Sequence, residues 1–235
     1  DQIDSDKFSL SFLTQPKLFI RIRPGFEKIV FRKLNAAGIS FENLGENCLS
    51  FSNNEKVSEV IIPDKEAVIQ DYNSQKTINF LTAHIGTLTP GVSLWDCCAA
   101  SGGKSILAFD RLKRIELTVS DTRKKILENL DFRFSKAGIK KYHSFIADLS
   151  DSSARLQLKT QPGIIIADVP CSGSGTWART PEQLTYFSKT NIEHYAALQK
   201  SIVKNASEQL LPGGYFLYIT CSVFKKENEE NVEFI

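Results

Sequence analysis

The sequence predicts an α/β fold in which a small α+β lobe precedes a larger parallel sheet. Short apolar runs such as residues 164–168 and 215–219 are rich in β-branched and aromatic side chains, which is typical of fully buried strands. Segments with helical spacing lie between these runs, and this alternation is typical of βαβ units. A chain of 235 residues is long enough for one large α/β domain and a small additional unit.

Residues 1–67 are predicted to form the small lobe. Residues 18–22 alternate as in a strand, and residues 27–37 have helical spacing with Gly38 as the stop. Residues 43–51 return to short strand-like pieces. Basic side chains outnumber acidic ones here, and such a cluster either binds phosphate backbones or forms a solvated helix face. The cluster comprises Lys17, Arg21, Arg23, Lys28, Arg32 and Lys33.

Residues 68–235 are predicted to form the larger domain, with a Rossmann-like arrangement of strands and helices. The predicted strands are 93–97, 115–120, 143–147, 164–168 and 215–219. The predicted helices are 70–88, 103–112, 122–137, 191–211 and an acidic tail over 227–235. Gly138 and the Pro-Gly-Gly at 212–214 end two of these helices.

Composition excludes several classes of protein. The 42% hydrophobic and 24% charged residues are ordinary for a globular protein, and no stretch approaches the ~20 apolar residues of a membrane-spanning helix. We therefore expect no membrane association and a cytoplasmic location. The five cysteines are an odd count without a disulfide-scaffold spacing, which favours reduced thiols. The three histidines are scattered without zinc-ligand spacing, so no metal site is expected.

A glycine-rich turn over residues 96–104 follows the first strand of the larger domain. Its small residues allow a ligand to approach the backbone, and the helix that follows offers free amide donors. A P-loop would need glycine where Cys98 stands, and the G-x-G-x-x-G fingerprint is absent. The turn therefore predicts a ligand site that is neither a P-loop for a nucleoside triphosphate nor a dinucleotide-binding loop. The alternative is a tight turn with a purely structural role.

Three aspartates follow successive strands of the same sheet. Asp121 stands where Rossmann-like proteins place a carboxylate for ribose hydroxyls, Asp148 could reach an adenine edge, and Asp168 follows the fourth strand. Each alone is also a common helix cap or turn residue. Together, after a glycine turn, they favour an adenosine-containing cofactor, and S-adenosylmethionine fits best.

Cys171 and Cys221 each leave a strand into a polar turn. A thiolate is nucleophilic when amide donors or positive charge lower its pKa, and attack on carbon 6 of cytosine makes carbon 5 able to accept a methyl group. Asp168 is placed to act as the polar partner near the ring nitrogen. The alternative is a pair of buried structural cysteines. Cys97 and Cys98 are expected to fill the core, with Cys98 also touching cofactor through its backbone.

These motifs resemble those of the Sun/Fmu-type (RsmB-like) RNA 5-methylcytosine methyltransferases. The family's D-x-C-A-A-P-G-G-K loop is similar to residues 96–104, and its D-x-P-C-S-G-x-G segment to residues 168–175. Its T-C-S and E-N-E elements resemble residues 220–222 and 227–229, and an upstream Q-D-x-x-S-Q element resembles residues 70–75.

The resemblance implies roles for individual residues. Cys221 would be the nucleophile that attacks carbon 6, and Cys171 would help release the product. Residues implied to hold S-adenosylmethionine are Cys98, Ala99, Ala100, Ser101, Gly102, Gly103, Lys104, Asp121, Asp148 and Asp168. Aromatic residues such as Trp177 or Tyr186 could lie beside an extruded base, and Arg179 could meet a phosphate.

Two departures from the family pattern are visible. Ser101 replaces the usual proline, which is expected to loosen the turn while leaving its backbone donors available. The sequence ends soon after residues 227–229, where the family continues with further sheet strands. The expected function is methyl transfer from S-adenosylmethionine to cytosine carbon 5 in RNA, ribosomal or transfer. Two alternatives stay open: an RNA-binding assembly factor without activity, and a small-molecule methyltransferase with structural cysteines.

Overall fold

The computed structural model describes residues 4–84, 91–112 and 114–235, and these contain two sheets. The strands of the smaller sheet are β1 (Leu18–Ile22), β2 (Glu42–Asn43), β3 (Cys48–Phe51) and β4 (Ala67–Ile69). They lie in the order β2-β3-β1-β4 with antiparallel pairings. The helices of this region are α1 (Ser5–Ser11), α2 (Glu27–Ala36) and α3 (Val57–Val60).

Alternation along β1 gives its two faces different partners. Ile20 and Ile22 are buried in the lobe's own apolar core, which α2 covers with Val30 and Leu34. Arg21, between the two isoleucines, points to the opposite face, as successive strand residues must. One strand therefore builds the small core and also presents a charged face to the larger domain.

The larger sheet is parallel throughout its described strands. These are β5 (Ser93–Asp96), β6 (Glu116–Asp121), β7 (His143–Ile146), β8 (Ile164–Asp168) and β9 (Tyr215–Ile219). Its helices are α4 (Tyr72–His84), α5 (Gly103–Leu112), α6 (Lys124–Ala137), α7 (Gln183–Tyr186), α8 (Lys189–Ser207) and α9 (Glu229–Val232). The predicted Rossmann-like α/β class is confirmed.

The strand order β7-β6-β5-β8-β9 locates the site. The chain moves outward from β5 to β7 and then returns to the other side of β5 at β8. Where the direction of winding reverses, the connections diverge and leave a crevice beyond the carboxyl ends of the strands. The crevice therefore lies beside the ends of β5 and β8.

Several predicted boundaries differ from the observed ones. The predicted helix over 70–88 begins at Tyr72, and its residues 85–88 lie outside the described part of the chain. The predicted helix over 191–211 is α8, which begins earlier because the Ser188 side chain caps it, and ends at Ser207. Asp121 is the last residue of β6 rather than the first residue after it.

The predicted acidic helix over 227–235 is wrong. A 3-10 turn over Lys225–Glu227 and the four-residue α9 replace it, since Asn228 between them has a non-helical backbone (φ −119°, ψ −93°). Glu227 is buried rather than solvated. This break places the Glu227 and Asn228 side chains against the ends of β8 and β9.

The two sheets are linked by buried ion pairs. Arg21 and Arg23 bond Asp110 on α5, with nitrogen–oxygen distances of 2.6 and 2.7 Å. Both arginines, which the sequence grouped with a phosphate-binding cluster, are thus buried inside the protein. Strand β4 extends to Ile69, so the small sheet crosses the predicted division at residue 67. In the parts of the chain described, no helix combines the length and apolarity needed to cross a bilayer.

Candidate active site

The carboxyl ends of the parallel strands bring most of the predicted site residues together. A cavity of about 320 Å³ opens there. Predicted site residues along its wall are Cys98, Ala100, Asp121, Asp148, Asp168, Cys171 and Cys221. A second cavity of about 210 Å³ adjoins the glycine-rich turn. Its wall includes Ala99, Ala100, Ser101, Gly103, Lys104 and Asp168.

Gly102 has a different role from its neighbours in the turn. Its φ of +81° lies in the left-handed region, and its N–H donates to the Ala99 carbonyl at 2.8 Å. A Cβ atom at this position would lie 2.7 Å from Cε1 of Phe134 and 3.0 Å from Cγ of Leu130. Gly102 therefore lets the turn pack on α6 and lines neither cavity.

Ser101 is held by an arginine that also reaches the small lobe. Arg133 Nη1 donates to the Ser101 carbonyl at 2.9 Å and to its Oγ at 2.8 Å. The same guanidinium pairs with Asp64 at 2.7 Å. The loosening expected from the missing proline is thus opposed by two hydrogen bonds from a charged donor.

Asp121 is anchored beside the turn. It accepts the Ala100 N–H at 3.0 Å and the Arg123 backbone N–H at 3.0 Å, and it pairs with the Arg123 guanidinium at 2.9 Å. Burial opposes ionisation, but the bonds from Arg123 and Ala100 keep the pKa of Asp121 below its ordinary value. A carboxylate that accepts several N–H groups is pre-oriented to accept ligand hydroxyls as well.

Asp148 lies two residues beyond β7 and is exposed. Its Oδ1 accepts the Ser150 backbone N–H at 2.9 Å and the Ser150 hydroxyl at 2.6 Å. This Asx-type turn holds the carboxylate on the cavity wall. Asp121, Asp148 and Asp168 thus surround one space, as the sequence predicted from their strand ends.

Asp96 is a site residue to which the sequence assigned no role. It ends β5, is 1% exposed, and accepts the Ser105 hydroxyl at 2.5 Å. Its Oδ1 has no hydrogen-bond partner and the residue lies on the wall of the second cavity. Burial raises the pKa of Asp96 to about 7, and the Ser105 hydrogen bond works against this rise.

The two thiols of the predicted mechanism are neighbours. Cys171 Sγ and Cys221 Sγ lie 3.2 Å apart, with Cys221 exposed and Cys171 half-buried. The hydrogen bond from the Cys221 thiol lowers the pKa of Cys171, helped by the Gly173 and Cys221 N–H groups. Donating that bond raises the pKa of Cys221. Once one proton has left, the pair holds one thiolate and one thiol.

Asp168 lies where the cavities meet. It forms an ion pair with Lys104 from the glycine-rich turn. A larger cleft of about 550 Å³ lies on the other side of this pair, and Cys221, Phe19 and Tyr72 are among its lining residues. The Lys104–Asp168 pair and Cys221 therefore form a boundary shared by the cofactor side and the open cleft.

The structure buries one of the predicted nucleic-acid contacts, Trp177, whereas Arg179 lines the open cleft. Trp177 is 5% exposed and packs against Phe187 and Phe224, with ring centroids 4.7 and 6.1 Å away. Its ring belongs to an aromatic cluster and does not present a face to the cleft. Arg179 forms an ion pair with Asp71, while Tyr186 is exposed.

Sequence reasoning missed a buried polar network behind the thiols. Glu227 and Gln199 are each 0% exposed, and they bond each other at 3.1 Å. Gln199 stood in the sequence as one member of an otherwise largely apolar helical stripe. A long polar side chain in such a stripe is the signal that could have revealed the network, because a buried amide requires partners.

Comparison with known proteins shows which family the chain is similar to. The model of the family "16S rRNA methyltransferase RsmB/F" matches residues 86–235. Ribosomal RNA small subunit methyltransferase B of Xanthomonas campestris pv. campestris is 30% identical over 166 residues, covering 70% of this chain and 37% of the relative. The tRNA (cytosine(72)-C(5))-methyltransferase NSUN6 of Mus musculus is 31% identical over 169 residues, covering 65% and 34% respectively. The chain thus spans about a third of the length of these two relatives.

Two solved structures share the fold. NSun6 from Pyrococcus horikoshii, determined with the S-adenosylmethionine analogue SFG, has a TM-score of 0.76 at 16% identity, covering 97% of this chain and 82% of that one. A methyltransferase homologue from the same organism has a TM-score of 0.78 at 20% identity, covering 97% and 72%. At these identities, the likeness shows a common fold that includes the small lobe.

Proposed function

The chain belongs to the RsmB/F family of 16S rRNA methyltransferases, and on this basis we propose that it methylates carbon 5 of cytosine in RNA with S-adenosylmethionine. The observation that carries the proposal is the pair of thiols, Cys171 and Cys221, 3.2 Å apart between a cofactor-sized cavity and an open cleft. A purely structural cysteine pair does not require an exposed sulfur at the junction of two cavities.

The residues around the cavities fit S-adenosylmethionine. The cofactor carries ribose hydroxyls and amino groups, which are donors, and the cavities offer Asp121 and Asp148 as acceptors. We assign its binding to residues 98–101, 103 and 104 of the turn, which Gly102 shapes, and to Asp121, Asp148 and Asp168. When bound, it supplies the methyl group that carbon 5 accepts.

Cys221 is assigned as the nucleophile. Its sulfur forms a bond to carbon 6 of the cytosine as a thiolate, after the thiol proton is lost to solvent at the exposed Cys221, and the ring double bond moves its electrons to carbon 5. Asp168, beside Cys221, is assigned to the ring nitrogen that gains electron density. We assign the release step to Cys171: after methylation its thiolate accepts the proton of carbon 5, the electrons of that C–H bond re-form the ring double bond, and the sulfur–carbon bond breaks to return Cys221 as a thiolate.

The open cleft is proposed as the route for RNA. Residues of the small lobe, of α4 and of the segment over 174–179 line it together. Cytosine carbon 5 is hidden in a stacked helix, so an unstacked or extruded base must enter the cleft. Ribosomal RNA is the first proposed substrate because the family description and the bacterial relative name it; the mouse relative supports transfer RNA as the alternative.

Variants of the two thiols test the proposal. Cys221→Ala is expected to abolish methyl transfer to ribosomal and transfer RNA fractions, measured with radiolabelled methyl donor, because no other thiol is assigned to attack carbon 6. Cys171→Ala should accumulate a protein–RNA adduct on a denaturing gel, since release is blocked after attack.

Other outcomes would identify the alternatives. Normal turnover by Cys221→Ala contradicts the covalent mechanism. RNA binding by the wild-type chain without S-adenosylmethionine binding identifies a non-catalytic RNA-binding factor instead. Methylation of a free metabolite while RNA stays unmodified identifies a small-molecule enzyme.

A further inference from the structure

We propose that Glu227 is the positioning residue that holds the Cys171 and Cys221 turns in register, so that the two sulfur atoms act as one unit. The inference rests on the proposed function of the two thiols. Glu227 belongs to the Glu-Asn-Glu element at 227–229, to which neither the sequence nor the proposed mechanism assigned a role.

One carboxylate bonds both turns at the residue directly after each thiol. Oε2 of Glu227 accepts the backbone N–H of Ser172 at 2.8 Å, and Oε1 accepts the hydroxyl of Ser222 at 2.8 Å. Ser172 follows Cys171, and Ser222 follows Cys221. A movement of either Glu227 oxygen therefore shifts the residue next to one of the two cysteines.

The carboxylate itself is held from behind. Gln199 on α8 donates to Oε2 of Glu227 at 3.1 Å and to the Pro170 carbonyl at 2.8 Å. The Tyr218 hydroxyl donates to the Glu227 carbonyl at 2.7 Å. Since Pro170 precedes Cys171, the same glutamine fixes the carboxylate and the other end of one thiol turn.

Asn228 completes the hold on the second turn. Its Nδ2 donates to the carbonyls of Ser222 at 2.9 Å and Phe224 at 3.1 Å, and its Oδ1 accepts the Thr220 hydroxyl at 2.5 Å. These bonds span Cys221 from both sides. Glu227 is thus the link between turns, while Asn228 shapes one of them.

The energetic cost of this arrangement favours a role beyond stability. Glu227 is fully buried, and its hydrogen-bond donors from Ser172, Ser222 and Gln199 are all neutral. Burying a carboxylate without a cation is costly, whereas an apolar side chain could fill the same space. What an apolar side chain could not do is join two backbone turns through two oriented oxygens.

Other contacts also join the two turns. The Gly175 N–H donates to the Cys221 carbonyl at 2.8 Å, and a Cβ on Gly175 would lie 2.7 Å from that oxygen. The Ser172 and Ser222 hydroxyl oxygens lie 3.2 Å apart, and the Val223 N–H donates to the Ser174 hydroxyl at 2.9 Å. Glu227 adds to these contacts a charge-assisted bond to the backbone N–H directly after Cys171.

The thiol–disulfide equilibrium of the pair measures positioning without RNA or cofactor. In glutathione buffers, Cys171 and Cys221 lose two protons and two electrons to form one S–S bond, while glutathione disulfide becomes two glutathione molecules. The equilibrium constant of this exchange with glutathione gives the effective concentration of one cysteine thiol at the other. This effective concentration is higher when the two sulfur atoms are held close together. Peptide mass spectrometry of the full chain separates this pair from Cys48, Cys97 and Cys98.

Substitutions at Glu227 should change that equilibrium specifically. We expect E227A to lower the effective concentration at least about tenfold, because the Cys171 turn loses its anchor. E227D keeps the charge but is one methylene shorter, so it should show a similar loss. E227Q retains the reach and should stay within about threefold of wild type, since the Ser222 hydroxyl can accept from an amide. The exposed Glu229, changed to Ala, serves as the matched control and should have no effect.

The outcomes are decisive in either direction. Wild-type equilibria in E227A and E227D overturn the proposal, as does an equal loss in E229A. If E227A does not fold, E227D decides by the same criterion. The proposed methylation gives a second readout: kcat of E227D should fall up to about 100-fold while the KM for RNA changes less than about twofold. If the Glu227 substitutions change the thiol–disulfide equilibrium but the wild-type chain does not methylate RNA, the positioning role of Glu227 stands and the proposed function is contradicted.

Discussion

At the scale of single residues, the chemistry of the site depends on one shared proton. Cys171 and Cys221 are 3.2 Å apart, and the hydrogen bond between them moves their pKa values in opposite directions. The distance between the sulfur atoms sets the strength of this hydrogen bond and therefore how far the two pKa values separate. In the proposed mechanism, the polar side chains around the pair act by holding this distance.

The pH dependence of Cys171 alkylation tests this coupling. Because the Cys221 thiol lowers the pKa of Cys171, the Cys171 thiolate persists to lower pH than it would without that hydrogen bond. Iodoacetamide labelling of the Cys171 peptide should therefore reach half its maximal rate at a lower pH in the wild-type protein than in Cys221→Ala. In Cys221→Ala the donor is lost, so the midpoint should move to higher pH.

Cys221→Ser is the matched control because its hydroxyl can still donate to the Cys171 sulfur. Its midpoint should fall between those of the wild type and Cys221→Ala. A midpoint in Cys221→Ala that equals or lies below the wild-type value would contradict the coupling.

At the scale of elements, the glycine-rich turn is shaped by its packing on α6. Gly102 requires a positive φ and also a position free of a Cβ, because the ring of Phe134 and the side chain of Leu130 fill that space. Arg133, from the same helix, holds Ser101. Helix α6 thus supports the glycine-rich turn, although α5 and β6 lie between the two in the sequence.

Two glycine substitutions separate the backbone requirement from the packing requirement. Gly138 has φ +74°, and a Cβ atom there would meet no group within 4 Å, so Gly138→Ala should cost only the left-handed backbone strain of ~1–2 kcal/mol. Gly102→Ala should cost that strain and a further ~1–3 kcal/mol for the clash with Phe134. Urea unfolding gives both free energies.

Equal losses for Gly102→Ala and Gly138→Ala would show that the turn moves away from α6 without a packing cost. In that event, the close contact of the turn with Phe134 would not contribute to its shape.

At the scale of the whole molecule, the small lobe is joined to the larger domain by charges rather than by apolar contact alone. Arg21 and Arg23 converge on Asp110, whose side chain is 4% exposed. Burial lowers the pKa of Arg21, and the nearby Asp110 works against this effect. The Arg133–Asp64 pair adds a second charged link, which leads directly to the cofactor turn.

Removal of Asp110 tests the contribution of this junction. Asp110→Ala leaves two buried guanidinium groups without their carboxylate, which should lower the free energy of unfolding by ~3–5 kcal/mol. Glu59, which pairs with Lys56 on the surface at 3.2 Å, is the control, and Glu59→Ala should cost less than ~1 kcal/mol. Urea unfolding followed by circular dichroism measures both, and comparable losses would contradict the assigned importance of the junction.

The class of fold, and the position of the three aspartates and both thiols at one edge of the sheet, could be predicted from the order of the residues alone. Runs of β-branched residues predict the buried strands, and the carboxyl ends of parallel strands lie at one edge of the sheet. The predicted strand ends were therefore enough to place Asp121, Asp148 and Asp168 around one cavity. The motifs around Cys171 and Cys221 likewise located both thiols at that edge. These features are local in the chain, and local patterns are readable from one sequence.

Only the packing of the folded chain shows which side chains form contacts inside the protein. Arg21 and Arg23 of the predicted basic cluster pair with Asp110, and Trp177 packs in an aromatic cluster. Glu227 of the predicted acidic tail accepts a hydrogen bond from one of the thiol turns. Many of these contacts join residues far apart in the chain, so the periodicity and spacing around one residue cannot predict which distant residue it contacts. Burial and hydrogen bonding between distant segments depend on how the whole chain packs, and that is why they are visible only in the folded molecule.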